Sequence, residues 1–369
     1  MVIDEIKEEK EDDYSNDDLY NINSWGADPS FRELITMYKE NELIKPELQR
    51  KYVWDKIEAS RFIESLLLGL PVPSIFLAKT EDNKKLIIDG YQRIMTVYDF
   101  IEGVWSKDNT VFTLSNSDKI NERWRNKAFV NLSDSDQRKI KSTTIHAIIF
   151  EQKAPQDNDT SLYQIFERIN TSGRTLNPQE IRNCVYHGKF NALLIELNKN
   201  TQWRTLFAMS EKEDERMLDL EFILRYFALN NDEILSSSLK SISLKKTLNE
   251  YMGRKDNQRD DVLLEKKNDF NIVINFIHTY LGDEAFFNLQ GNTETIRKRF
   301  YPTVYDSLMI GTSIALKRGF STTKTLIDKR LELLKDIQYK EYITQGTMRI
   351  EHIKGRIRKV LNVLYDMDL

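Results

Sequence analysis

Lys84 to Gly103 reads KKLIIDGYQRIMTVYDFIEG. Leu86-Ile87-Ile88 is a short apolar run that suits a buried strand, and it stops at Asp89-Gly90. A helical pattern follows, QRIMTVYDFIE, closed by Gly103. A strand that ends in Asp-Gly and feeds a helix leaves backbone N–H groups unpaired at the helix start, where the helix dipole favours an anion. Glycine permits close backbone approach or a positive φ. Arg93 adds a planar fork of donors suited to phosphate oxygens. Asp89 could hold a divalent cation or orient a water, since hard oxygen ligands suit magnesium, and Gln92 could position an attacking water. The corner therefore reads as a phosphate site with its own acid. The plainer alternative is a turn in which Asp89 caps the helix and pairs with Arg93.

Upstream, Asp28-Pro29 is expected to cap a helix through SFRELITMYKE. ELIKPELQRKYVW reads as extended chain, because Pro46 disfavours helix just before it. Asp55 caps KIEASRFIESLLLG, whose Ala59, Phe62, Ile63, Leu66 and Leu67 make one apolar face before Gly69. PVPSIFLAK and KLIID are expected as short buried strands, VFTLS as a weaker one and TTIHAIIFEQK as a strong one. NLSDSDQRKIKS is a short helix capped by Ser133 or Asp134. After Pro155 come SLYQIFERIN as a helix, TSGRT as a turn, and a helix opened by Asn177, Pro178 and Glu180. Amphipathic helices joined by polar loops continue to Leu369, with no paired strands expected beyond residue 200. The fold class is α+β. An acidic disordered tail spans 1–25, a small mixed α/β domain 26–153 and an all-helical domain 154–369.

Two further places put an arginine beside an amide: Gln49-Arg50 before Trp54, and Arg168 with Asn170 ahead of TSGRT. Together with Gln92-Arg93 they suggest convergence on one polyanion. Three stretches, LQRKYVWDKIEASRFIESLLLGLPVPSIFLAK, LIIDGYQRIMTVYDF and FERINTSGRTLNPQEIRN, resemble in order the signature blocks of the N-terminal domain of GmrSD-type modification-dependent restriction enzymes. That family carries an Asp-Gly-Gln-Gln-Arg hallmark and is similar in fold to the ParB/sulfiredoxin superfamily. The resemblance covers about residues 30–190. It implies a nucleoside-triphosphate-hydrolysing module in defence against phage DNA, including modified DNA, often coupled to a partner nuclease. Asp89, Gly90, Gln92 and Arg93 match the hallmark. Gln49, Arg50 and Trp54 match the first block, and Arg168, Asn170, Gly173 and Glu180 the third. The resemblance thus implies Asp89, Gln92 and Arg93 as catalytic, Gln49, Arg50, Gly90, Tyr91, Arg168 and Asn170 as nucleotide-binding, and Asp89 as a magnesium ligand. Tyr91 stands where the family has glutamine. It is expected to face the ligand, stacking on a base while hydrolysis slows.

Composition fits a soluble globular protein, 40% hydrophobic and 30% charged. No apolar run is long enough to span a membrane, and the acidic N-terminus is no secretory signal. One cysteine, Cys184, excludes a disulfide framework and a thiolate-only metal site, and it reads as buried and inert in a reducing cytoplasm. Net charge is −4, yet residues 1–20 hold nine acids against two lysines, so the remainder is about +3. The tail reads as solvated and disordered, or as a polyanion mimic over a basic groove. No P-loop motif occurs. RIEHIKGRIRKV, near the C-terminus, reads as a basic helix, with too little chain beyond His352 to build a His-based nuclease. A second function class is a metal nuclease using Glu151 and Lys153 with Asp89. A third is a DNA-binding module using TIRKRFYPTVY and HIKGRIRKVL.

Overall fold

A computed structural model describes residues 3–6, 9, 21–45, 54–80, 82–154, 160–169, 177–186, 188–208, 214, 216–291, 293 and 295–369. In chain order the first part contains β1 (Asn21–Ala27), α1 (Phe31–Lys39), β2 (Leu43–Ile44), α2 (Lys56–Leu68), β3 (Ile75–Lys79), β4 (Lys85–Asp89) and α3 (Tyr91–Glu102). The small hairpin β5 (Val104–Trp105) and β6 (Thr110–Val111), then α4 (Asp134–Ser142) and β7 (Ala147–Ala154), complete it. Five strands form one mixed sheet in the order β1-β7-β3-β4-β2. β3 runs antiparallel to β4 and parallel to β7.

Strand periodicity sends alternate residues of this sheet to opposite faces, and both faces are covered. Ile75, Leu77, Ile87, Ala147 and Ile149 pack in one apolar cluster with Phe31, Phe62, Ile63 and Ile94 from α1, α2 and α3. Ala78, Leu86, Ile88 and Phe150 belong to a second cluster that continues through the helical part. A sheet wrapped on both sides needs continuous apolar strands, which accounts for Leu86-Ile87-Ile88. The boundary expected near Pro155 is not where these clusters divide, because the sheet belongs to both.

Beyond the sheet come α5 (Thr160–Ile169), α6 (Pro178–Val185), α7 (Lys189–Leu197), α8 (Thr201–Ala208), α9 (Leu218–Leu229), α10 (Asp232–Leu235), α11 (Leu244–Met252) and α12 (Asp260–Leu281). They are followed by β8 (Phe287–Leu289), β9 (Ile296–Phe300), α13 (Pro302–Lys317), α14 (Ile327–Lys335), α15 (Ile337–Thr344) and α16 (Ile350–Tyr365). The region is helical as expected, with one correction: β8 and β9 pair as an antiparallel hairpin. Among the described residues no helix is long and apolar enough to cross a membrane.

Local signals account for most boundaries. Asp55 accepts hydrogen bonds from the Ile57 and Glu58 N–H groups, both at 2.8 Å, and Gly69 closes α2 at φ +78°. Asn177 and Glu180 form a reciprocal capping box at α6. Ser133 caps α4. Three expectations are corrected. The cap of α1 is Ser30 with Glu33, not Asp28, since a Ser-x-x-Glu box satisfies two N–H groups at once. Asp28 instead meets His146 at 2.8 Å. β1 lies partly inside the stretch taken as disordered and pairs with β7 along its whole length. Its sequence, NINSWGA, is too polar to announce a strand, as suits a sheet edge. Finally, the acidic N-terminus is not merely solvated where it is described: Asp4 and Ile6 are buried, and Ile3 bridges to Phe300 of β9.

Candidate functional site

The corner at the end of β4 is tight for a steric reason. Gly90 has φ +100° and is the N-cap of α3 without a side-chain cap. A Cβ there would stand 2.3 Å from Ile75 Cγ2, inside the neighbouring strand. The chain therefore turns across β3 at a distance only glycine allows. Glycine has no side chain to cap the first N–H groups of α3, and a helix start favours an anion.

Arg93, one turn into α3, folds back over this corner. Its Nη2 donates to Asp89 Oδ2 at 2.6 Å and to the Ser74 carbonyl at 3.1 Å. The guanidinium thus pins the end of β4 to the residue just before β3. Its side chain is 14% exposed against 41% for Asp89, so the acid is the outward member of the pair. Arg93 Nε is buried and makes no hydrogen bond among the described residues. Gln92 Oε1 accepts from the Trp54 N–H at 3.3 Å, which brings the start of α2 alongside the start of α3. The plain turn reading is thus half right: Asp89 does pair with Arg93, but it does not cap the helix.

Asp89, Gly90, Gln92 and Arg93 are brought together, and Ser74 and Trp54 join them. Gln49, Arg50, Asn170, Gly173 and the Cys184 side chain lie outside the described residues. Arg168 is exposed near the end of α5, a helix tied to α11 by Glu167 and Lys245 at 3.0 Å. Tyr91 corrects an expectation. It is 7% exposed and packs in the apolar cluster with α1 and α2. Burial first, then the neighbouring Tyr38 hydroxyl and Asp99, push its phenol pKa up. The signal was in the sequence: Tyr91, Ile94 and Met95 are spaced three and four apart on one helical face. Replacing Tyr91 with Gln is accordingly expected to cost about 2 kcal/mol of stability by burying an amide, measured by urea denaturation. A Tyr91→Gln protein of unchanged stability would contradict this inward placement.

The metal-nuclease arrangement is not assembled. Phe76 of β3 is opposite Asp89, whereas Ala78 is opposite Phe150. Glu151 therefore sits beyond the far end of that register, about 10 Å along the strands from Asp89 at roughly 3.3 Å per residue. It pairs with Lys79 at 2.8 Å, and the Lys153 side chain is outside the described residues. No group of three or more His, Cys, Asp or Glu side chains gathers for a metal among the described residues. Nor is the C-terminal basic stretch a solvated face throughout, since Arg356 is fully buried in α16.

Residues 31–187 match the family described as GmrSD restriction endonuclease, N-terminal domain. This segment belongs to that family. The GmrSD-type segment contains the whole of the corner and runs from α1 to just past α6. A solved structure titled as a Pnob8-like ParB-N domain is similar at 11% identity and TM-score 0.24, covering 93% of this chain and 98% of the other. No curated protein matches the chain.

Proposed function

We propose that the GmrSD-type segment is a nucleotide-binding module of a cytoplasmic DNA-restriction or anti-phage system, and that the Asp89–Arg93 corner holds nucleotide phosphates. The observation that carries this is the placement of Arg93. Its guanidinium is held by Asp89 and Ser74 beside a helix start whose N-cap is glycine, so charge, donor geometry and the positive end of the helix dipole coincide. On this reading Gly90 admits the phosphate against the backbone, Gln92 positions a water, and Gln49, Arg50, Arg168 and Asn170 complete the nucleotide contacts. Triphosphate hydrolysis would use Asp89.

Magnesium fits this donor set. Asp89 is half-exposed, and only its Oδ2 is engaged by Arg93. The ion would be held by Asp89, phosphate oxygens and water, the habit of this cation. It would neutralise phosphate charge. DNA, modified DNA included, is the proposed target, and a nuclease the proposed partner.

The test is a panel of nucleotide binding and hydrolysis assays with and without DNA, comparing wild type and Arg93→Ala. Loss of one charge-assisted contact should weaken nucleotide binding by about 1.5–3 kcal/mol. Unchanged affinity in a folded Arg93→Ala protein, shown folded by circular dichroism, would overturn the proposal.

A further inference from the structure

The described part of the acidic N-terminus lies on arginines. Glu9 Oε2 and Oε1 accept from Arg225 Nη1 and Nη2, each at 2.6 Å. Beneath them Asp306 takes Arg225 Nε and Nη2 at 2.7 Å and Arg356 Nη2 at 3.3 Å. Five residues before Glu9, Asp4 stands between Arg297 and Arg299 of β9, at 3.0 and 3.5 Å. Tyr301 senses both Asp4 and Glu9 electrostatically, so the two carboxylates share one neighbourhood.

Two features mark a filled anion site rather than a random ion pair. Depth is the first: Arg225, Asp306 and Arg356 are 0–2% exposed, while Glu9 above them is 14% exposed and is the outer member. Charge count is the second: without Glu9, the buried Arg225 and Arg356 share the single Asp306 carboxylate, and a buried excess of positive charge demands an anion. Among the described residues Arg356 Nε also makes no hydrogen bond. The described backbone contacts of residues 3–6 with the hairpin are a one-residue bridge from Ile3 and one hydrogen bond, Asp4 N–H to the Phe300 carbonyl at 2.9 Å. The fork that grips Glu9 through both terminal nitrogens has the geometry that also grips phosphate.

We propose that Arg225 and Arg356, with Arg297 and Arg299 at the rim, form a phosphate-binding site that Glu9 and Asp4 fill in cis. When the N-terminal segment withdraws, the site takes backbone phosphates of a nucleic acid. A strand with regularly spaced charges can replace both carboxylates at once, whereas a single free phosphate replaces one. This site lies on the helical side of the molecule and does not depend on the corner at Asp89.

The experiment compares full-length variants for binding a labelled DNA duplex of arbitrary sequence, by fluorescence anisotropy across a salt series. Asp4→Asn/Glu9→Gln is expected to bind about tenfold more tightly than wild type, with a steeper salt dependence. Adding Arg297→Gln and Arg299→Gln should abolish the gain. Asp328→Asn/Glu332→Gln, an equal charge change at two exposed positions of α14, should leave affinity near wild type. Equal affinity of wild type and Asp4→Asn/Glu9→Gln, or an equal gain in the α14 control, overturns the proposal. Inorganic phosphate that raises the melting temperature of the double variant, without tighter duplex binding, overturns the nucleic-acid assignment in favour of a free phosphate ligand. Should the double variant not fold, Asp4→Asn alone uncovers only the half-exposed Arg297 and Arg299 and must still tighten duplex binding.

Discussion

Gly90→Ala should destabilise the protein by about 3 kcal/mol or more, because backbone strain and a steric clash act together. The backbone sits at φ +100°, where an L side chain is strained. Its Cβ would lie 2.3 Å from Ile75 Cγ2 and 2.8 Å from Ile75 Cβ. Ile75 is fully buried at the start of β3 and has no room to withdraw. Relief would require moving α3 away from the sheet, which would also pull Arg93 off Asp89 and Ser74. Urea denaturation reads the stability loss directly. A companion change, Ile75→Ala, removes Cγ2, the nearest clashing atom, so it should cost less in the Gly90→Ala background than in wild type if the clash is the cause. A Gly90→Ala protein as stable as wild type would mean that the corner is not built as described.

Asp306→Ala is expected to cost about 3–5 kcal/mol, the range for stripping one partner from a buried ion pair. Asp306 is 1% exposed and holds two arginines that are themselves buried, Arg225 and Arg356. Burial pulls the Arg356 pKa down, while the Asp306 charge opposes that pull. Without the carboxylate, two cations face each other out of water, and Glu9 still grips Arg225. Asp306→Asn keeps the shape and some hydrogen bonding and should fall between wild type and Asp306→Ala. Thermal and chemical denaturation rank the three. An Asp306→Ala protein within error of wild type would show that the arginines are not confined as the structure places them.

What the sequence disclosed and what it withheld follow from range. Asp55, Ser133, Gly69, Gly103 and the Asn177–Glu180 box act over two to four residues, so their roles are readable from neighbours. The Asp89–Gly90 turn into α3 was legible for the same reason. Ser30 was readable too, but the proline one residue earlier drew the cap to Asp28. β1 was not legible, because an edge strand is held by ladder hydrogen bonds to β7 and needs little apolar content of its own. The burial of Arg225 and Arg356 left no local trace, since their partners are remote: Asp306 is 81 residues from Arg225, and Glu9 is 216. Counting charges in the tail could not reveal that some of them already had a match. Within the site, the Asp89–Arg93 pair was foreseeable from i, i+4 spacing, whereas the Ser74 carbonyl and the Trp54 N–H come from the loops before β3 and α2 and left no local trace.

The sheet buried on both sides bears on what the family match means for this chain. Residues 31–187 name a recognisable module, yet Leu86 and Ile88 lean into an apolar layer that continues without a break to Tyr365. Ile88 is the residue immediately before Asp89. The wall that carries the candidate chemistry is thus mortared from behind by helices the match leaves out. Such a module is not a cassette: its sheet borrows half its insulation from the rest of the chain, and strain on the helical side would be felt at the corner one peptide bond away.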